Sequence, residues 1–192
     1  MNNKRTVLIL ALVFVLLMIG ASALYRQLGQ NITPEQLATQ PVQQEPTNEA
    51  SEPEQKTKAP DFVVYDQDGN EVHLYDFVGK PIVLNFWASW CGPCKMEMPD
   101  FHEKYLELGG EIQFLMINMT TGRETVESAA AFIAENAYTF PVFYDLYSDA
   151  AMTYGAYSLP TTFFIDAEGN AIAQATGAID AATLQMGIDM IR

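Results

Sequence analysis

Apolar and polar positions divide the chain into three stretches. From Val7 to Leu24 the residues are uncharged and apolar, interrupted only by Gly20 and Ser22, and Lys4 and Arg5 precede them. About 18–20 such residues cross a bilayer as a helix, and the basic flank keeps its own end in the cytoplasm. Residues 1–24 are therefore expected to be a single-pass anchor, with everything after them outside. Ala21-Ser22-Ala23 also fits a cleavage site, so a removed signal peptide is the alternative. The anchor is favoured because the run is long for a signal peptide, and with no cysteine near it a lipoprotein anchor is excluded. Residues 25–59 carry Leu28, Ile32, Leu37 and Val42 too sparsely for a core. They are expected to be a flexible linker, with a short helix over 34–39 capped by Thr33.

From residue 60 the pattern becomes that of a folded domain. Asp61 to Tyr65 and Glu71 to Leu74 flank Asp68-Gly69 and predict a hairpin; Phe77 to Lys80 is expected to be a loop. Pro81 to Trp87 is apolar except for Asn85, as suits a strand buried on both faces. Cys94, Met98, Phe101, Tyr105 and Leu108 then recur at helical spacing, with a kink expected at Pro99 and an end at Gly109-Gly110. Glu111 to Asn118 predicts the next buried strand, parallel to the first across the helix. Further on, the pattern predicts a helix over 124–136 with Val126, Ala130, Ile133 and Ala134 inward, a strand over 140–144 and a short helix over 149–154. Strands over 161–165 and 171–175 joined by a turn, and a helix over 180–191 with Leu184, Ile188 and Ile191 inward, complete it.

Charge narrows the partners. Of the ten basic and 24 acidic residues, five basic and 19 acidic lie in 60–192, so the formal net charge of −14 belongs to the folded part. Such a surface repels phosphate backbones, which argues against nucleic acid. The acidity reads chiefly as solubility, with steering of basic clients as the alternative.

Two cysteines, Cys91 and Cys94, supply the candidate chemistry. They fall where a predicted strand gives way to a helix, and a helix N-terminus favours a thiolate through its dipole and free N–H groups. Outside the cytoplasm such a pair stays oxidised unless something reduces it. As a purely structural bridge it closes too short a loop to constrain the unfolded chain much.

Trp90-Cys91-Gly92-Pro93-Cys94-Lys95 resembles the thioredoxin active-site motif, and Leu159-Pro160-Thr161-Thr162 resembles that family's cis-proline loop. The resemblance spans roughly residues 60–190 and is closest to the membrane-anchored TlpA- and ResA-like branch. Support comes from the N-terminal run, the hairpin, the extra helix and strand between the predicted strands at 111–118 and 161–165, and Glu97 after NFWASWC. It implies an α/β fold, a thioredoxin-like three-layer sandwich with an N-terminal β-hairpin and a central αβ insert. Where cytoplasmic thioredoxins carry a buried aspartate, this chain has Asn85, which cannot exchange a proton.

The resemblance also implies roles. Cys91 is expected to be the nucleophile and Cys94 the resolving thiol, together forming the redox-active disulfide. Glu97, three residues past Cys94, would exchange a proton with it, the alternative being an ordinary surface glutamate. Pro160 would be cis and face the sulfurs, with Leu159 offering backbone to an extended client. Trp90, Gly92, Pro93, Leu159 and Thr161 would contact clients; Trp87 is expected in the core, and His73 and His102 are read as structural. No cofactor and no metal is expected.

The expected activity is thiol-disulfide exchange, with reduction of disulfides in exported clients such as apocytochrome c. Electrons would come from a membrane thiol donor of the CcdA or DsbD type. A monomeric protein in a bacterial cell membrane, domain outward, is the implied setting. A disulfide-forming oxidant is one alternative. Copper delivery on the same fold is another, but neither histidine is placed by sequence to be a third ligand. Lys95 where a c-type haem motif needs histidine excludes covalent haem, and no peroxidatic cysteine motif is visible.

Overall fold

Strand-length apolar runs alternating with one-sided helices build a mixed sheet with helices against both faces. The computed structural model describes residues 56–192. In chain order these form β1 (Thr57–Lys58), β2 (Val63–Tyr65), β3 (Glu71–His73), a 3-10 turn (Leu74–Phe77), β4 (Ile82–Trp87), α1 (Gly92–Leu108) and β5 (Gln113–Asn118). There follow α2 (Val126–Glu135), β6 (Val142–Tyr144), α3 (Asp149–Tyr154), β7 (Thr161–Ile165), β8 (Asn170–Thr176) and α4 (Ala181–Ile191). The strand order is β1-β8-β7-β4-β5-β6-β2-β3. The proposed anchor and most of the proposed linker lie outside the described residues. Among the described residues no helix is long and apolar enough to cross a membrane.

β4 lies deep in this sheet. It runs parallel to β5, as the crossover helix requires, and antiparallel to β7, with Asn85 directly opposite Thr162. Strand alternation assigns its side chains to two cores. Val83 and Trp87 face one, with Met98 and Phe101 of α1 and Leu184 and Ile188 of α4. Ile82, Leu84 and Phe86 face the other, with Phe62, Leu74, Ala150 and Phe163. Asn85 shares the parity of Val83 and Trp87, so a fully buried amide points at α1.

The expected parallel pair, the β2–β3 hairpin and the inserted α2, β6 and α3 are all present. Four details differ from the sequence reading. The sheet begins at Thr57, inside the proposed linker, because β1 pairs with β8 and Lys56 bridges Asp166 at 2.9 Å. The expected loop after β3 starts with the 3-10 turn, whose first residue, Leu74, is buried. The helix expected over 124–136 begins only at Val126, with Thr125 as its cap, so Glu124 precedes it. In α2 the inward face is Val126, Ala129, Phe132 and Ile133, while Ala130 and Ala134 are exposed. The run of three alanines carried no phase of its own, and the ring of Phe132 against Trp87, centroids 5.8 Å apart, sets it.

α4 packs unusually close to β7. Gly187 is buried on its inner face, and a Cβ built there would overlap the ring of Phe164. Gly187→Ala is therefore expected to lower stability by about 1–3 kcal/mol, read from urea unfolding, because a filled core resists an added carbon. Phe164→Leu in the Gly187→Ala background should recover part of that loss. An unchanged midpoint for the single variant would contradict this packing.

Candidate active site

The loop between β4 and α1 carries the dithiol. Cys91 caps α1, Pro93 occupies its first turn, where a missing N–H is tolerated, and the Cys94 N–H points at the Cys91 sulfur from 3.2 Å. The two sulfurs are bonded at 2.06 Å. The pair is asymmetric: Cys94 is fully buried at the head of the α1 stripe, whereas Cys91 is 4% exposed and lines a groove of about 570 Å³.

Trp90, Gly92, Pro93 and Leu159 also line this groove. Thr161 does not. It is buried at the start of β7 and its hydroxyl donates to the Ser158 carbonyl at 2.6 Å, so instead of meeting clients, as the resemblance implies, it braces the loop from inside. The Leu159–Pro160 peptide is cis, and Pro160 is itself buried, its carbonyl accepting from Gly177 N–H at 2.9 Å. Trp87 is in the core. His73 lies beside Asp61 and His102 beside Thr139, both away from the groove.

Glu97 is not an ordinary surface glutamate: it is buried, at 2% exposure. It falls one helical turn past Cys94, on the face of α1 that meets the sheet. One carboxylate oxygen accepts from Asn85 Nδ2 at 2.8 Å and the other from the Ile179 N–H at 3.0 Å. Asn85 Nδ2 also reaches Thr162 Oγ1 at 3.0 Å, while its Oδ1 has no partner. Burial pushes the Glu97 carboxyl up to about 7; the two donated hydrogen bonds pull it back and Asp100 adds to the rise. Loss of hydration outweighs two good hydrogen bonds here because no cation among the described residues balances the charge.

Two neighbouring residues were not legible as site residues. Glu124, expected inside a helix, precedes α2 and is buried. Its carboxylate accepts from the Ser89 N–H at 2.8 Å, from Ser89 Oγ at 2.8 Å and from Asn118 Nδ2 at 2.9 Å, which fixes the loop leading into Cys91. Arg123 lies over the Trp90 ring, its guanidinium carbon 4.1 Å from the centroid, and lines the groove. The only sequence signal for either is an Arg-Glu pair after a buried strand, which by itself looks like a solvated turn.

A dithiol in which one sulfur is reachable and the other buried, set on a thioredoxin fold, is the apparatus of thiol-disulfide exchange. Comparison with known proteins agrees. The AhpC/TSA family model matches residues 56–174. Thiol-disulfide oxidoreductase ResA of Bacillus thuringiensis subsp. konkukian (strain 97-27) is 41% identical over 123 residues, covering 62% of this chain and 68% of that protein. ResA of Bacillus subtilis (strain 168) is 30% identical over 135 residues, covering 70% and 74%. Among solved structures, the pneumococcal exposed lipoprotein thioredoxin of Streptococcus pneumoniae strain TIGR4 matches with a TM-score of 0.59 at 31% identity, covering 68% of this chain and 99% of that one. StoA of Bacillus subtilis, at 24% identity and a TM-score of 0.59 over 68% and 97% of the two chains, shares the fold. The chain belongs to the AhpC/TSA family, as a ResA-like thiol-disulfide oxidoreductase acting on disulfide-bearing client proteins.

The buried carboxyl has a stability signature. Between about pH 4.5 and 7 the folded chain keeps a Glu97 proton that the unfolded chain releases, so this group makes stability fall as pH rises through that window. Glu97→Gln removes the effect, and turning over the Asn85 amide accommodates the new side chain. The difference in unfolding free energy, variant minus wild type, should grow in the variant's favour by up to about 3 kcal/mol across that window. Urea titrations of both oxidised proteins at several pH values measure it, and a constant difference contradicts a proton held at Glu97.

Proposed function

We propose that the chain is an extracytoplasmic reductant of client disulfides, with Cys91 as nucleophile, Cys94 as resolving thiol and Glu97 as the acid/base for Cys94. The supporting observation is the asymmetry of the pair: Cys91 lines the groove and Cys94 does not. In the reduced protein the Cys91 thiolate attacks one sulfur of a client disulfide. That S–S bond breaks, a Cys91–client bond forms, and the first client thiolate leaves and takes a proton from water. Cys94 gives its proton to the Glu97 carboxylate and attacks the Cys91 sulfur; the Cys91–client bond breaks, and the second client sulfur leaves as a thiolate that takes a proton from water. Two electrons have then passed to the client, and Cys91 and Cys94 end joined.

Asn85 completes the relay. Its Nδ2 donates to the Glu97 carboxylate, and its Oδ1 is buried without a partner. Rotation of the amide by half a turn presents that acceptor to a protonated Glu97 and to the Thr162 hydroxyl. Either protonation state of the acid therefore finds a hydrogen-bond partner, so the proton stays available without a fixed opposite charge. Asn85 is a positioning residue here; it transfers nothing itself.

The Gly-Pro between the cysteines favours the reducing direction by its resemblance to thioredoxin. A membrane dithiol donor of the CcdA or DsbD type restores the reduced state, and apocytochrome c cysteines or other exported redox proteins are the clients. Residues 1–24 anchor the chain in a bacterial cell membrane with its N-terminus in the cytoplasm, and the residues between that anchor and Thr57, where the sheet begins, tether the domain outside.

Equilibration of the full-length chain with dithiothreitol should give a potential near about −270 mV, and a value above about −180 mV would contradict the reducing direction. With a peptide disulfide as client, Cys94→Ser should accumulate a mixed disulfide through Cys91, and Cys91→Ser should accumulate none. Trapping through Cys94 in the Cys91→Ser variant would reverse the two assignments.

A further inference from the structure

We propose that Arg123 selects the client: the groove beside Cys91 takes an extended polypeptide segment carrying an aspartate or glutamate within a few residues of the reacting cysteine. The inference rests on the oxidoreductase reading above and names the substrate class of that same groove.

The groove wall is mostly apolar or neutral. Trp90, Met119, Tyr157 and Leu159 supply its broad surfaces, and Arg123 is the one charged side chain lining it. Among the described residues no carboxylate lines the groove to neutralise that charge, in a domain where acidic residues outnumber basic ones 19 to five over residues 60–192. The other described cations are occupied. Lys56, Lys104 and Arg192 pair with Asp166, Glu107 and Glu111, and Lys58 and Lys80 reach backbone carbonyls. Lys95 lies over the ring of Phe132, outside the groove lining. Arg123 has only the Trp90 ring, among the described residues.

Stacking engages the flat face of a guanidinium and leaves its N–H edge free, and that edge matches a carboxylate with two parallel hydrogen bonds. The side chain is also held ready. Its ring partner Trp90 adjoins Cys91, and the next residue, Glu124, is buried and tied to Ser89 by both carboxylate oxygens. A cation fixed in advance beside the reacting sulfur loses little freedom when a client binds. An extended client docked against the Leu159 backbone would place side chains near its cysteine along the groove floor, where the apolar surfaces and the guanidinium lie.

A merely structural role, holding Trp90 in place, would slow all clients alike. The charge of the client separates the two. Three peptide disulfides, identical except for Glu, Gln or Lys two residues from the cysteine, are reduced by the full-length chain at low and moderate ionic strength. Each kcat/KM is normalised to the peptide's own rate with dithiothreitol. The acidic surface elsewhere favours the Lys peptide at long range, so the local effect is read as a change in the Glu-to-Lys ratio. That ratio should fall about three- to fivefold in Arg123→Gln and further in Arg123→Glu, with the fall shrinking as salt is added. A ratio that stays the same in both variants overturns the proposal. Oxidised glutathione, which brings carboxylates without a peptide segment, is a separate arm. If its normalised rate depends on Arg123 as strongly as that of the Glu peptide, the selection is for small thiols and the client assignment fails. Wild-type turnover of the Gln peptide tests the underlying reading by itself: its absence sinks the oxidoreductase assignment, whereas normal turnover with a flat charge ratio sinks only the role of Arg123.

Discussion

A carboxylic acid enclosed between a strand and a helix sets the terms for the rest of this molecule. Glu97 sits in α1 with its oxygens on the Asn85 amide and the Ile179 N–H, and burial holds its proton to about pH 7. An ionised carboxylate in such a place normally needs a cation, and none is supplied. What is supplied instead is an amide with one spent donor and one idle acceptor, on the strand directly below. The site therefore tolerates both forms of the acid, which is the property a proton exchanger one turn from a buried thiol requires.

That enclosure depends on the sheet. Asn85 faces α1 because strand parity places it between Val83 and Trp87, and Thr162 meets it because β7 lies opposite in register. The Ile179 N–H arrives from the segment leading into α4, whose own seat on the sheet is set by Gly187 against Phe164. Asn85 from β4 and the Ile179 N–H from ahead of α4 thus meet on one carboxyl, with Thr162 of β7 behind the amide. The outer side of the site is built separately, by Glu124 fixing Ser89 and by Arg123 over Trp90. The proposed proton chemistry and the proposed client contact accordingly lie on opposite sides of the same disulfide, one dry and one open to the groove.

Much of this was legible in the amino-acid order, and the reasons are local. The strand at 82–87 and the helix after it announce themselves by apolar periodicity, and the cysteines mark the junction by chemistry. Pro160 was legible only through its neighbours Leu159, Thr161 and Thr162, as a resemblance. The depth of Glu97 was not legible, because its second hydrogen bond comes from a residue 82 positions away. Glu124 read as the start of a helix and Arg123 drew no reading, since nothing nearby shows that Ser89 and Trp90 would fold against them. Thr161 was assigned to the surface because its motif is, yet strand geometry turned its hydroxyl to the Ser158 carbonyl. The short β1 was missed because two residues paired at a sheet edge carry no periodicity.

A direct titration of Glu97 tests the centre of the account. Carbon-13 labelling of glutamate, with Glu97→Gln to identify the signal, lets the side-chain carboxyl carbon be followed by NMR in the oxidised full-length chain. A midpoint near 7 is expected. A midpoint near the ordinary glutamate value of about 4.3 would show that the carboxyl is ionised whenever the protein works, and would contradict the proposed role as proton partner of Cys94.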